Sequence, residues 1–276
     1  MKNVCFVWQK AEKLWYNDST MEKNILLKIA YDGSGFHGWQ RQPDRPTVQG
    51  TLEKLLSKLM KSDVTLNGTS RTDAGVHALG QCASFRADVR IPVQRLAMVM
   101  NNTLASYEKG SFALSPVRIL SAEEKPDDFH ARFDSRGKKY IYRLNTGGIN
   151  VFRRNYVYHV AEPLDLEAMR IAAEYITGTH DFKCFEASGS DIRENTVRTV
   201  HSLEILEDDI SGDIQVHVSG DGFLYNMVRI ITGTLVDVGR GRITPDSLED
   251  IILSQDRGKA GHTAPPYGLY LAEVYY

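Results

Sequence analysis

In each half of this sequence, stripes of apolar residues at helical spacing stand among short runs that read as strands. From Val48 the apolar residues Leu52, Leu55, Leu56 and Leu59 fall on one helical face, with Thr47 as a cap after Pro46. Val93, Leu96, Val99 and Met100 predict a second helix after Pro92. In the second half, Asp165 caps a helix through Met169, Ala172, Ala173 and Ile176 that Gly178 stops. Residues 226–238 are apolar and helix-like with Arg229 embedded in them, and Thr244-Pro245 predicts the start of another helix. Strands are predicted over 24–31, 82–85, 137–145, 197–205, 214–218 and 269–276. Several strands and helical stretches in each half predict an α+β fold of two units, each an antiparallel sheet with helices on one face.

A length of 276 residues suits one large domain or two smaller ones and allows roughly three quarters of the unfolded chain's surface to be buried. The expected division is an N-terminal extension over 1–22, an α+β domain over 23–122 and a second over 123–276. The break falls where 121–128 turn acidic and polar. Residues 1–20 carry Trp8, Trp15 and Tyr16 without a period and lack the apolar core of a signal peptide. Two readings stand: Met21 is the natural start, or the first twenty residues are a loosely attached extension.

The three cysteines, Cys5, Cys82 and Cys184, are widely spaced with no Cys-x-x-Cys pair, which points to a reducing, cytoplasmic setting without disulfides. No apolar run reaches membrane-spanning length. The net charge of −2 carries no global signal for nucleic acid. Locally, Arg132, Arg136, Lys138, Lys139 and Arg143 crowd one segment opposed only by Asp134, and Arg229, Arg240 and Arg242 recur later. That pattern predicts either a basic groove or two solvated faces. The eight histidines show no His-Glu-x-x-His spacing and no phosphate-binding Gly-x-x-x-x-Gly-Lys-Ser/Thr occurs, so no metal and no cofactor is expected. Gly33-Ser34-Gly35-Phe36-His37-Gly38 matches the glycine fingerprint of dinucleotide folds. That fingerprint requires a helix to open on the glycines, and here residues 39–46, with Pro43 and Pro46, intervene.

The densest polar stretch is Ser70-Arg71-Thr72-Asp73-Ala74-Gly75-Val76-His77-Ala78-Leu79-Gly80-Gln81. Arg71 and Asp73 lie two apart, so in an extended segment both point to the same face. A cation that close keeps a carboxylate ionised, and Gly75 permits a turn that a Cβ resists. On these residues alone Asp73 is either a nucleophile or base on a turn, or half of a surface ion pair.

Arg-Thr-Asp-Ala-Gly-Val-His-Ala, eight positions in order, resembles the active-site loop of the TruA-type tRNA pseudouridine synthases. Residues 31–42 resemble the family's Tyr-Asp-Gly-x-x-Phe-x-Gly-Trp-Gln. Phe129-His130-Ala131-Arg132-Phe133 with Lys139-Tyr140-Ile141-Tyr142-Arg143 is a further match. So are Gly178-Thr179-His180-Asp181-Phe182, Met227-Val228-Arg229, and Ala264-Pro265-Pro266-Tyr267-Gly268-Leu269-Tyr270-Leu271. Together they run from about Ile25 to Tyr276.

The resemblance implies two ferredoxin-like halves with sheets joined side by side and an active-site cleft between them. It implies an isomerase, an intramolecular transferase that turns uridine into pseudouridine at positions 38–40 of the anticodon arm of tRNA, as a homodimer. Asp73 falls on the catalytic aspartate, Tyr140 on a tyrosine that packs on the target uracil, and Arg229 on an arginine beside the catalytic carboxylate.

The residues give their own reading of the same positions. Tyr140, on a strand among cations, suits stacking on a base, although a core aromatic is the commoner fate of a strand tyrosine. Arg229 inside an apolar run needs a carboxylate partner, with Asp73 the candidate, unless the helix turns it to solvent or it pairs with Asp237. Arg71 is the choice to assist flipping of the target uridine and to pair with Asp73. His180 with Cys184 invites a thiol-nucleophile reading, but no third orienting group is evident and His180 reads as structural. Isomerising a uridine needs no metal, no nucleotide hydrolysis and no net electron transfer. Two rivals stand beside this reading: a non-catalytic RNA-binding or RNA-folding protein, and a synthase of the same type with a different RNA target.

Overall fold

A computed structural model describes residues 22–107, 115–189, 195–208 and 210–276; the segment 1–20 lies outside the described residues. They divide into two compact units, one of residues up to Asp73 with Ala78–Ser135, the other of Ala74–His77 with Arg136–Tyr276.

The first unit is built on β1 (Glu22–Tyr31), whose alternate residues Ile25, Leu27 and Ile29 are fully buried. A strand with large aliphatics at three successive alternate positions must lay that face on a core. β1 pairs antiparallel on one side with β3 (His77–Asp88) and on the other with β4 (Val117–Lys125), while the short β2 (Asn67–Gly68) pairs with β3. Helices α1 (Val48–Met60) and α2 (Val93–Tyr107) carry the expected stripes. Leu52, Leu56, Leu96 and Met100 are fully buried, and Thr47 caps α1 by accepting from the Gly50 N–H at 3.3 Å.

Two differences from the sequence expectation arise here. The strand expected over 82–85 runs twelve residues and begins at His77, inside the polar motif. Gly80 and Gln81 gave no alternation to read, because β3 is buried on both sides over most of its length. The acidic stretch read as the end of the first half is strand β4. Its charged residues Glu123 and Glu124 are exposed, which suits a strand at the edge of this unit's sheet.

The second unit's strands run in the order β10 (Leu269–Tyr275), β5 (Gly137–Asn145), β9 (Ile214–Gly220), β8 (Val197–Glu207) and β7 (Gly178–Asp181), each pair antiparallel. One two-residue strand, β6 (Tyr158–His159), departs from the all-antiparallel expectation and pairs parallel to β5. Helix α3 (Leu166–Ile176) is capped by Asp165 as expected and touches β8. α4 (Met227–Gly239) is apolar nearly all round and almost wholly buried. α5 (Ser247–Ser254) starts later than Thr244-Pro245 predicts, because the chain first makes a turn in which the Thr244 carbonyl accepts from Ser247. Helices and antiparallel strands in both units make the fold α+β. No helix among the described residues is long and apolar enough to cross a membrane.

Candidate active site

The Arg71–Asp73 loop leaves the first unit's sheet as an irregular segment, and its exposure alternates. Ser70 and Thr72 are buried, Arg71 is exposed and Asp73 half-buried. The inward residues are held by hydrogen bonds. Gln81, wholly buried on β3, donates from Nε2 to the Ser70 carbonyl at 2.7 Å and accepts the Ser70 N–H at 3.4 Å. Thr72 Oγ1 lies 2.7 Å from the Tyr31 hydroxyl, and the Thr72 carbonyl accepts from the Trp39 N–H at 3.0 Å. With the even positions tied inward, Arg71 and Asp73 share the outward face that their spacing predicts. Among the described residues the Arg71 side chain has no ion pair, so the Arg71–Asp73 pair expected from that spacing is not formed.

Beyond Asp73 the loop turns through Gly75, whose φ of +81 is the left-handed geometry glycine takes without strain. His77 then anchors the chain in the second unit. Its Nε2 lies 2.9 Å from the Asn155 carbonyl and 3.2 Å from the Tyr267 carbonyl, so that nitrogen must carry the proton. Its ring stacks on Tyr270 at 4.7 Å.

Tyr140 and Arg229 belong to the second unit. Tyr140 is 8 % exposed and meets Phe223 edge-on, with ring centroids 5.2 Å apart. Strand alternation places it with Tyr142 and Leu144 on the buried face of β5, opposite Lys139 and Arg143. Lys139 and Arg143, two of the cations read beside Tyr140 in the sequence, therefore point away from its face, because side chains of adjacent strand residues point to opposite faces. Arg143 instead covers the Tyr270 ring at 4.6 Å.

Arg229, on the first turn of α4, is half-buried; its Nε donates to the Ala264 carbonyl at 2.8 Å and its Nη1 to Asn226 Oδ1 at 2.6 Å. The alternative partner Asp237 is engaged elsewhere, by His262 at 3.0 Å, Arg242 at 3.5 Å and Arg240 at 3.8 Å. Arg240 and Arg242 also pair with Glu162 at 2.6 and 3.3 Å, so these two cations are partly neutralised within the fold. Burial pushes the Tyr142 hydroxyl well above the ordinary tyrosine value of 10.0, against the pull of the Arg229 guanidinium. The neutral phenol donates to the Pro265 carbonyl at 2.6 Å.

His180 and Cys184 do not form a nucleophile pair. His180 Nε2 faces the Thr177 carbonyl at 3.2 Å, and burial pushes the Cys184 thiol up to about 12. A thiol held protonated at neutral pH is no nucleophile.

A family profile described as tRNA pseudouridine synthase matches residues 28–134 and 172–276. The chain belongs to that family. It is 45% identical over 260 residues to "tRNA pseudouridine synthase A 2" of Clostridium tetani (strain Massachusetts / E88), covering 93% of this chain and all of the relative. It is 43% identical over 255 residues to "tRNA pseudouridine synthase A" of Thermoanaerobacter sp. (strain X514), and 44% identical over 257 residues to the protein of that name in Ruminiclostridium cellulolyticum (strain ATCC 35319 / DSM 5812 / JCM 6584 / H10). Each of these two comparisons covers 92% of this chain and all of the relative. This tRNA pseudouridine synthase is therefore an isomerase, and the rival reading as a non-catalytic RNA-binding protein gives way.

Sequence reading assigned no role to Tyr31, Thr72, His77 or Gln81 of the synthase. Thr72, His77 and Gln81 stand inside the polar stretch from Ser70 to Gln81, and the period of two that pairs Arg71 with Asp73 equally pairs Ser70 with Thr72 on the inner face. That signal was available; the partners that hold the inner face come from residues up to forty-one positions away.

Proposed function

We propose that this synthase isomerises uridines at positions 38–40 of the anticodon arm of tRNA, working as a cytoplasmic homodimer, with Asp73 as the catalytic residue. Arg71, Tyr140 and Arg229 hold the substrate and the carboxylate. The observation that supports this most directly is the alternation across Ser70–Asp73, which turns Arg71 and Asp73 outward while their neighbours are fixed inward.

A stacked uridine hides its reacting atoms, so the base is extruded at a cost of about a few kcal/mol, offset by contacts to the RNA backbone. Arg71, exposed and without a protein ion pair among the described residues, fills space near the vacated stack. Asp73 assists cleavage of the bond between N1 and the ribose C1′, by adding to the sugar, by adding to the base, or by stabilising a charged sugar. The freed uracil rotates while Tyr140 holds its ring, and C5 bonds to C1′. The proton on C5 leaves and N1 gains one, so the product is an isomer and no electrons are exchanged.

The experiment is to incubate purified protein with unmodified tRNA and map pseudouridine by position. Pseudouridine at 38–40 with the native chain, and none with Asp73→Asn despite retained folding and tRNA binding, is expected. Normal yield from Asp73→Asn refutes the role of the carboxylate, and modification elsewhere in the RNA refutes the target.

A further inference from the structure

The motif at residues 31–42 has no part in the mechanism above, yet its first residue reaches the active-site loop. Tyr31, the last residue of β1, is 4 % exposed, and its hydroxyl meets Thr72 Oγ1 at 2.7 Å beside the Trp39 ring, 6.1 Å from its own. Tyr31 is paired on both sides, with Ala78 of β3 and Val117 of β4, so its phenol is delivered from a fixed backbone. The segment it holds has no strand ladder of its own: Ser70 to Asp73 are irregular. Buried backbone groups in such a segment must find side-chain or distant backbone partners. Here the Ser70 N–H and carbonyl both pair with the Gln81 side chain and the Thr72 carbonyl accepts from the Trp39 N–H, while Tyr31 holds the Thr72 side-chain hydroxyl. Turning the segment about its axis to face Asp73 elsewhere would break this set together and bury the Arg71 charge.

We propose that the buried Tyr31–Thr72 hydroxyl pair is a positioning device for Asp73, holding the carboxylate one residue further on at the angle the reaction requires. This rests on the reading of Asp73 as the catalytic residue. Neither hydroxyl touches the RNA; each acts through the peptide between Thr72 and Asp73. A group misplaced by about an ångström costs on the order of a hundredfold in rate, so a lost positioning bond falls on the chemical step and not on binding.

The test uses Tyr31→Phe, which keeps the ring, Thr72→Val, which keeps the shape, the double variant, and Thr72→Ser, which restores a hydroxyl. Single-turnover rates at saturating tRNA, tRNA affinity and melting temperature are measured for each. Tyr31→Phe and Thr72→Val are each expected to slow isomerisation roughly ten- to a hundredfold, with tRNA affinity changed less than about twofold. The double variant is expected to be no slower than the worse single one, since both remove one bond. Thr72→Ser is expected to recover most of the rate.

Wild-type rates in both single variants overturn the proposal, as do losses that multiply in the double variant or that track affinity or melting alone. Asp73→Asn is assayed alongside. If it isomerises uridine, the catalytic reading itself has failed; if it is dead while the hydroxyl variants run at full rate, only the positioning role has.

Discussion

Arg229 and Ala264 hold each other reciprocally: the guanidinium Nε donates to the Ala264 carbonyl at 2.8 Å, and the Ala264 N–H donates to the Arg229 carbonyl at 3.1 Å. One residue of α4 thus fixes both polar groups of a residue in the segment that leads to Pro265 and Tyr142. The same guanidinium also donates to Asn226 Oδ1.

Arg229→Lys is expected to fail at this task although it keeps the charge. An ammonium on a flexible stem lacks the planar fork that serves two acceptors at fixed angles. A loss of about 1–3 kcal/mol in stability is expected, from a buried carbonyl left short of a donor, together with a fall in isomerisation rate of more than about tenfold. Thermal melting and single-turnover kinetics check the two effects separately. A variant with native melting and native rate contradicts both.

Tyr140 separates ring from hydroxyl. If its work is to hold the uracil ring, Tyr140→Phe keeps most of the tRNA-dependent rate and Tyr140→Ala loses it, since stacking on a base is worth about 1–3 kcal/mol. The alanine variant also forfeits the edge-on contact with Phe223, so its melting temperature is expected to drop. Equal activity in the two variants argues against stacking; a dead but folded Tyr140→Phe points to the hydroxyl and the C5 proton.

Gly233 in α4 leaves no room for a side chain. A Cβ there would lie 1.8 Å from the His262 carbonyl oxygen, which is backbone and cannot swing aside. Gly233→Ala is expected to cost more than about 3 kcal/mol, and to appear as insoluble or low-melting protein. Gly35→Ala, with nothing within 4 Å of its Cβ, is expected to melt within about a degree or two of the native chain. Comparable melting of the two variants contradicts the close approach of α4 to this segment.

Cys184 titrates far from its ordinary value of 9.0, pushed up to about 12 by burial. A thiol whose folded value lies above its unfolded one stabilises the fold fully below about pH 9, and that contribution fades as pH rises towards 12. In a Cys5→Ser background, with Cys82 also buried, a thiol reagent at pH 8 is expected to label the folded chain slowly and the denatured chain at both sites. Cys184→Ser is expected to keep its isomerase activity. Rapid stoichiometric labelling of the folded chain, or loss of activity in Cys184→Ser, contradicts the assignment of this thiol as structural.

Local pattern determined most of the elements. Thr47 and Asp165 mark helix starts because a capping oxygen acts on N–H groups three residues away. The alternation of 137–145 is β5, because a period of two is a property of the strand itself. The motif Arg-Thr-Asp-Ala-Gly-Val-His-Ala carried the family, since eight residues in order need no fold to be read.

What tertiary structure decided was each side chain's surroundings. The sequence could place Arg229 on an apolar helix but not choose among its partners, and the structure gives it Ala264 and Asn226 while Asp237 is occupied by His262 and two other arginines. It could show Tyr140 beside cations, but pleating turned Lys139 and Arg143 to the other face. It could pair Arg71 with Asp73 by spacing, yet the face they share is set by Tyr31, Trp39 and Gln81. The physical reason is range: propensity, capping and periodicity act over a few residues along the chain, whereas a buried polar group takes whatever partner the folded backbone brings within hydrogen-bond distance.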